Sequence, residues 1–133
     1  MAASLTCACS HQWEAVSLAL FQKYPNPFAA HVLSTDVLAR HLDEHGRLHS
    51  TRLLLKTGGS HVPVWLQALI KSREAYVLEE SIVDVRSGIM ETRTRNLSHQ
   101  RFMSIEETQT FTRSPEDASW YDGSGRASVW QLL

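Results

Sequence analysis

The two prolines of Lys23-Tyr24-Pro25-Asn26-Pro27-Phe28 constrain this chain more than any other feature. Proline fixes φ, lacks a backbone donor and disfavours the helical conformation in the residue before it, so a helix arriving at Lys23 must stop and turn. The patterns on either side differ accordingly. Trp13, Val16, Leu20 and Tyr24 fall on one stripe at helical spacing, the core face of a helix that Ser10 can cap and that runs to about Tyr24. From His31 to Leu42 the period is two, with Leu33, Thr35, Val37 and Ala39 on one face and Ser34, Asp36 and Arg40 on the other, the pattern of a half-buried strand. A helix packed on an antiparallel sheet, an α+β fold, is the expected architecture.

The rest of the chain extends that sheet. Leu5 to Cys9 reads as a short first strand. Asp43-Glu44-His45-Gly46 is a polar turn ending in glycine, and Arg47 to Thr57 completes a hairpin that Gly58-Gly59-Ser60 breaks. His61 to Ile70 is the most apolar segment, with Pro63 early where a helix tolerates it, and reads as a short helix within a loop. Arg73 to Val85, Ile89 to Ser98 and Arg101 to Arg113 form a meander, with a turn at Arg86-Ser87-Gly88. Beyond Ser114-Pro115-Glu116-Asp117, residues 118–133 show neither period and read as an unpaired tail.

Composition narrows the function. With 133 residues, 43% of them hydrophobic, the chain holds one domain with a core of its own. Thirteen Lys and Arg against fourteen Asp and Glu leave a charge of −1, so no overall field draws nucleic acid and any anion site is local. No apolar run reaches the roughly eighteen residues of a spanning helix. The start of the chain, with no basic residue before His11, reads as neither a secretory signal nor an Arg-rich transit peptide, and composition alone points to the cytosol. Cys7 and Cys9 are too few for a disulfide scaffold and read as small apolar residues of the first strand, with metal or redox use the alternative.

The strongest local site lies on Arg47 to Thr57, where Leu48, Ser50, Arg52, Leu54 and Lys56 share a face. The two cations sit about 13 Å apart along the strand, yet their long stems let both heads reach one anion. A planar guanidinium beside a point-charge ammonium suits a phosphate. Alternatively this row is solvated and Thr51, Leu53 and Leu55 face the core. Lys23 at the helix end and His31 past the prolines are the nearest further cations.

Catalysis finds less support. His41-Leu42-Asp43-Glu44-His45 has the His-x-x-Glu-His spacing in which two histidines bind zinc from one helical face while the glutamate activates water, with His49 a possible third ligand. Gly46 and the alternating flanks put the motif in a turn between strands instead, where its histidines share no helical face. Glu79-Glu80 and Glu106-Glu107 face opposite sides of their strands pairwise and read as surface charge. No Ser/His/Asp spacing, phosphate-cradling glycine loop or dinucleotide fingerprint occurs, and no cofactor or metal is expected.

Several blocks occur in order: Lys23 to Val32, Arg47 to Leu54, Tyr76 to Asp84, Thr94 to His99 and Ser104 to Glu107. Together, from about Trp13 to Asp117, they resemble the PRELI domain family, lipid-transfer proteins of the mitochondrial intermembrane space. Arg95-Asn96-Leu97-Ser98-His99, and Lys56-Thr57-Gly58-Gly59 ahead of Val62-Pro63-Val64-Trp65, are most similar to the branch that carries phosphatidic acid for cardiolipin synthesis. The resemblance implies a curved antiparallel sheet with an N-terminal helix and a short lid helix, and a cavity on the concave face that holds one phospholipid, moved between membranes without chemistry. By motif position it assigns the headgroup to Lys23, Arg52 and Lys56 with His31 close by, and it makes the loop carrying Val62, Val64, Trp65, Leu66 and Leu69 a lid that meets an anionic membrane surface. A charge in such a cavity is costly until an anion neutralises it, so Arg52→Glu is expected to abolish headgroup binding and leave the fold intact. A small helical partner with twin cysteine pairs is implied as well. The family continues with a further strand and a long C-terminal helix. This chain therefore reads as an incomplete domain over 1–117 with a divergent tail over 118–133 and the closing helix missing. A shortened product that only engages a partner or a membrane is the alternative.

Overall fold

A computed structural model describes residues 2–23, 31–57 and 74–131. Along the chain run β1 (Ala2–Cys9), α1 (Trp13–Gln22), β2 (Val32–Leu42), β3 (Leu48–Thr57), β4 (Glu74–Asp84), β5 (Ile89–Asn96), β6 (Met103–Arg113) and β7 (Tyr121–Gln131). The strands pair antiparallel in one sheet in the order β1-β7-β6-β5-β4-β3-β2, which makes the fold α+β as expected. This order explains the helix. β1 and β2 lie at opposite edges, six strand spacings or about 29 Å apart, so the chain between them must cross the sheet. α1, at ten residues, covers about 15 Å of that path.

Register decides which side chains meet α1. Val37 lies opposite Arg52, Arg52 opposite Glu79, Glu79 opposite Thr94 and Thr94 opposite Glu107, so these side chains share one face. On that face Trp13 is buried with Val83 and Met90, flanked by Leu20, Phe21, Leu48, Phe111 and Tyr121. Ser50, Arg52 and Leu54 are each at most 3% exposed, whereas Thr51, Leu53 and Leu55 are half-buried. The cationic row of β3 therefore faces the helix, and the alternative that it is solvated falls.

α1 differs from expectation in its start and its buried stripe. Ser10 does not cap it; Gln12 stands at the N-cap without a side-chain capping bond. Docking of Trp13 fixes this end instead, its Nε1 donating to Phe111 O at 3.0 Å while Arg113 pairs with Glu14 at 2.7 Å. The buried side is Trp13 and Ser17, with Leu20 and Phe21 packed beside them. Tyr24, both prolines and the lid residues Val62, Val64, Trp65, Leu66 and Leu69 lie outside the described residues.

Both expected turns form. Asp43 Oδ1 accepts the His45 and Arg47 N–H groups at 2.8 and 2.9 Å, with Gly46 at φ +75°. Asp84 Oδ1 accepts those of Arg86 and Ser87, with Gly88 at φ +65°. β2 is less buried than its alternation suggests. It is an edge strand whose register shifts between Val32 and Ser34 and again between Val37 and Ala39, and irregularities of this kind break the two-residue period. Leu33, Val37, Leu38 and Leu42 are accordingly half or more exposed.

The expectation of an unpaired tail is overturned. β7 pairs with β6 on one side and with all eight residues of β1 on the other. A strand secured on both flanks by backbone bonds does not need alternating apolar side chains. Its small residues suit close packing, since a Cβ at Gly123 would sit 3.2 Å from Cys7 Sγ.

Candidate functional site

Arg52 sits at the centre of the helix-covered face because strand alternation places it between Ser50 and Leu54. A buried guanidinium requires compensation, and two sources provide it. Glu79, directly opposite on β4 and itself buried, accepts from Arg52 Nε at 2.8 Å and also from Nη2. Two of the remaining three N–H groups reach the end of α1, Nη1 to Phe21 O at 3.4 Å and Nη2 to Leu20 O at 3.3 Å. Carbonyls of a last helical turn lack intrahelical partners and carry the negative end of the dipole, so a cation is well placed there. The Phe21 ring lies 5.5 Å from the Arg52 Cζ and 5.3 Å from that of Arg40, whose Nε donates to Ser50 Oγ. Arg52 thus ties a sheet carboxylate to a helix terminus.

Beside this clamp, a cavity of about 100 Å³ opens between the end of α1 and the sheet, lined by Leu20, Lys23, Leu54, Lys56, Glu79 and Glu107 among others. Lys23, at the C-cap of α1, and Lys56, on β3, come together there from elements far apart in the chain. With Arg52 beside them, Lys23 and Lys56 bring cations to a site that also carries the carboxylates of Glu79 and Glu107. His31 is exposed at the start of β2, where its carbonyl accepts the Thr57 N–H at 2.7 Å, one residue past Lys56. A trough of about 450 Å³ continues the same face toward β1, lined by Ala3, Leu5, Phe111, Gly123 and Ala127, and it shares Glu107 and Gln109 with the cavity. A charged recess thus adjoins a largely apolar trough.

The opposite face carries the histidine motif. His41 on β2 stacks on His49 of β3 with ring centroids 4.9 Å apart, while Glu44 and His45 belong to the turn. Asp43 organises this end. Its Oδ2 lies 2.9 Å from His49 Nε2 and 2.7 Å from Arg47 Nε, and these bonds, that of His49 foremost, hold its carboxyl well below the usual carboxylate range. The helical face that the zinc pattern requires is not formed, and among the described residues no three His, Cys, Asp or Glu side chains gather to hold a metal.

Sequence reasoning brought Lys23, Arg52 and Lys56 forward but passed over Glu79 and Glu107 as surface charge. Glu79 stands in the alternating row Val77, Glu79, Ser81 and Val83, and a carboxylate in so apolar a row calls for a cation across the strand. Glu80 and Glu106 do face outward, Glu106 pairing with Arg93 at 2.8 Å.

The PRELI-like family model matches residues 14–129. Among curated proteins, the chain is 38% identical over 107 residues to the Schizosaccharomyces pombe ups1 homolog, covering 80% of this chain and 61% of that protein. It is 41% identical over 97 residues to Protein UPS1, mitochondrial, of Saccharomyces cerevisiae, covering 72% and 54%. It is 38% identical over 124 residues to PRELI domain-containing protein 1, mitochondrial, of Gallus gallus, covering 91% and 57%. The chain thus spans between half and two thirds of the length of these relatives. The crystal structure of TTHA0849 from Thermus thermophilus has the same overall fold, with a TM-score of 0.56 over 100% of this chain and 76% of that one, at 13% identity.

Proposed function

This chain belongs to the PRELI-like family, and on that premise we propose that it carries phosphatidic acid between the membranes bounding the mitochondrial intermembrane space, in support of cardiolipin synthesis. Its mitochondrial location follows from its relatives. The observation that carries the lipid reading is that the lysine-lined cavity adjoins the largely apolar trough, the two sharing Glu107 and Gln109. One end offers the two lysines; the other offers apolar walls for an acyl chain.

In this reading Lys23 and Lys56 take the phosphate, with His31 at the strand end beside them. Arg52 contributes its field from behind, since four of its five N–H groups are engaged by Glu79 and the carbonyls of α1. Val62, Val64, Trp65, Leu66 and Leu69 serve as the lid at an anionic membrane surface, on their composition. The small helical twin-cysteine protein implied by the family resemblance is the proposed partner. No bond is made or broken.

Transfer between vesicles tests the proposal. Wild-type chain is expected to move phosphatidic acid faster than phosphatidylcholine, and Lys56→Glu to slow it by about tenfold or more, the worth of one charged hydrogen bond. Equal rates for wild type and Lys56→Glu would remove the headgroup site. Arg52→Glu is unsuitable for this purpose. Contrary to the expectation from sequence, it would set a second carboxylate against Glu79 and release the end of α1, so it tests the fold.

The edge strand β2, with Leu33, Val37, Leu38 and Leu42 half or more exposed, favours a second reading, a module that engages membrane or partner without carrying lipid. Native mass spectrometry after mixing with acidic vesicles separates the two: a chain that binds the vesicles yet retains no phospholipid is the module.

A further inference from the structure

We propose that Cys7 and Cys9 form a two-thiolate site for a soft monovalent cation of the copper(I) class. Both thiols are free, Cys7 is exposed, Cys9 is half-buried, and the Cys9 Sγ donates to the Cys7 Sγ at 3.3 Å. Two residues apart on β1, they point to the same side of an edge strand, opposite Gly123 and Tyr121. Gly123 keeps the space beside Cys7 open, since a Cβ there would stand 3.2 Å from its sulfur.

The backbone decides between the chemistries open to such a pair. A disulfide needs its Cβ atoms about 3.8 Å apart, whereas residues two apart on a strand are separated by about 6.6 Å. Every residue of β1 is paired with β7, which opposes the bend a disulfide would demand. A metal ion bridging the sulfurs needs no such bend. Among the described residues no third His, Cys, Asp or Glu completes a cluster, so the four-ligand shell of zinc is not available. Thiolates alone, in a pair, suit the softest cations. Uptake replaces both S–H protons, Cu(I) plus two thiols giving a Cu(I) dithiolate and two protons released to solvent, so it weakens as pH falls.

The test uses the full reduced chain under anaerobic conditions with copper(I) supplied as its acetonitrile complex. One copper(I) per chain is expected to be retained against a bicinchoninate competitor, and to be lost in both Cys7→Ser and Cys9→Ser. In the wild-type chain the bound ion should also protect both thiols from alkylation, reducing two adducts to none by intact mass, and this readout needs no variant. Retention unchanged by the serine substitutions would overturn the site. Two adducts in the presence of copper(I), or a Cys7–Cys9 disulfide formed readily in the folded chain, would do the same.

Discussion

Arg52 and Glu79 are each buried, and neither is tolerable there without the other. Removing one partner of such a pair leaves an uncompensated charge and costs about 3–5 kcal/mol, whereas replacing both with apolar residues of similar volume can be neutral. Arg52→Met and Glu79→Leu are therefore each expected to lower the urea midpoint substantially, Arg52→Met more so because it also frees the Leu20 and Phe21 carbonyls. The Arg52→Met/Glu79→Leu double variant should recover most of the loss. A double variant as unstable as the sum of the singles would show that the two act separately. Alternation on β3 was enough to place Arg52 among leucines, but Glu79 could not be matched to it, because strand register is a long-range property that local sequence does not encode. Asp43 gives a pH test at the same scale. Its carboxyl is depressed in the folded chain by His49 and then Arg47 and His45, against about 3.9 for a free aspartate. A depressed carboxyl contributes stability above its unfolded pKa and loses it as pH falls toward the folded value. The difference in urea midpoint between wild type and Asp43→Asn should persist above pH 5 and shrink below about pH 4; a gap that widens on acidification would contradict the assignment.

At the scale of elements, β7 makes the sheet continuous, because β1 has all eight of its register partners there. Its glycines differ in what surrounds them. A Cβ at Gly123 would stand 3.2 Å from Cys7 Sγ and 3.6 Å from Phe111, whereas one at Gly125 would meet Gln109 and Thr108 at an ordinary 3.8 Å. Gly123→Val is expected to cost about 1–3 kcal/mol by overpacking, and Gly125→Val to be neutral or stabilising because a β-branched residue suits a strand. Thermal melts of the two variants check the contrast, and equal losses would mean that backbone strain rather than space decides. β3 to β6 were legible from sequence to within two residues at each end, since turn glycines and a steady two-residue period delimit them. β7 was not, because glycine, serine and alanine give no period to read. The exposure of β2 was hidden for a related reason: its register shifts cannot be seen in the alternation of its residues.

For the molecule as a whole, the strand order sends one short helix across seven strands, and ten residues cannot cover that width. Leu5 stays 74% exposed, and the trough of about 450 Å³ lies over β1, β7 and β6 with largely apolar walls. Apolar surface left open is unfavourable, and a ligand that fills it and binds only the folded chain stabilises by RT ln(1 + [L]/Kd), about 2.7 kcal/mol at a hundredfold excess over Kd. For a chain of 133 residues that is a rise in Tm of roughly 10 °C. On the proposed reading, in which the lysine-lined end selects charge and the trough only chain, phosphatidic acid is expected to produce this rise and phosphatidylcholine at the same concentration a much smaller one. Lys56 is half-buried at the rim of the cavity rather than in the core around Trp13 and Met90, so Lys56→Glu should melt with wild type in the absence of lipid and fail to respond to phosphatidic acid. If both lipids raised Tm equally, in wild type and variant alike, the apolar trough would be the whole of the binding site and the two lysines would have no part in choosing the headgroup.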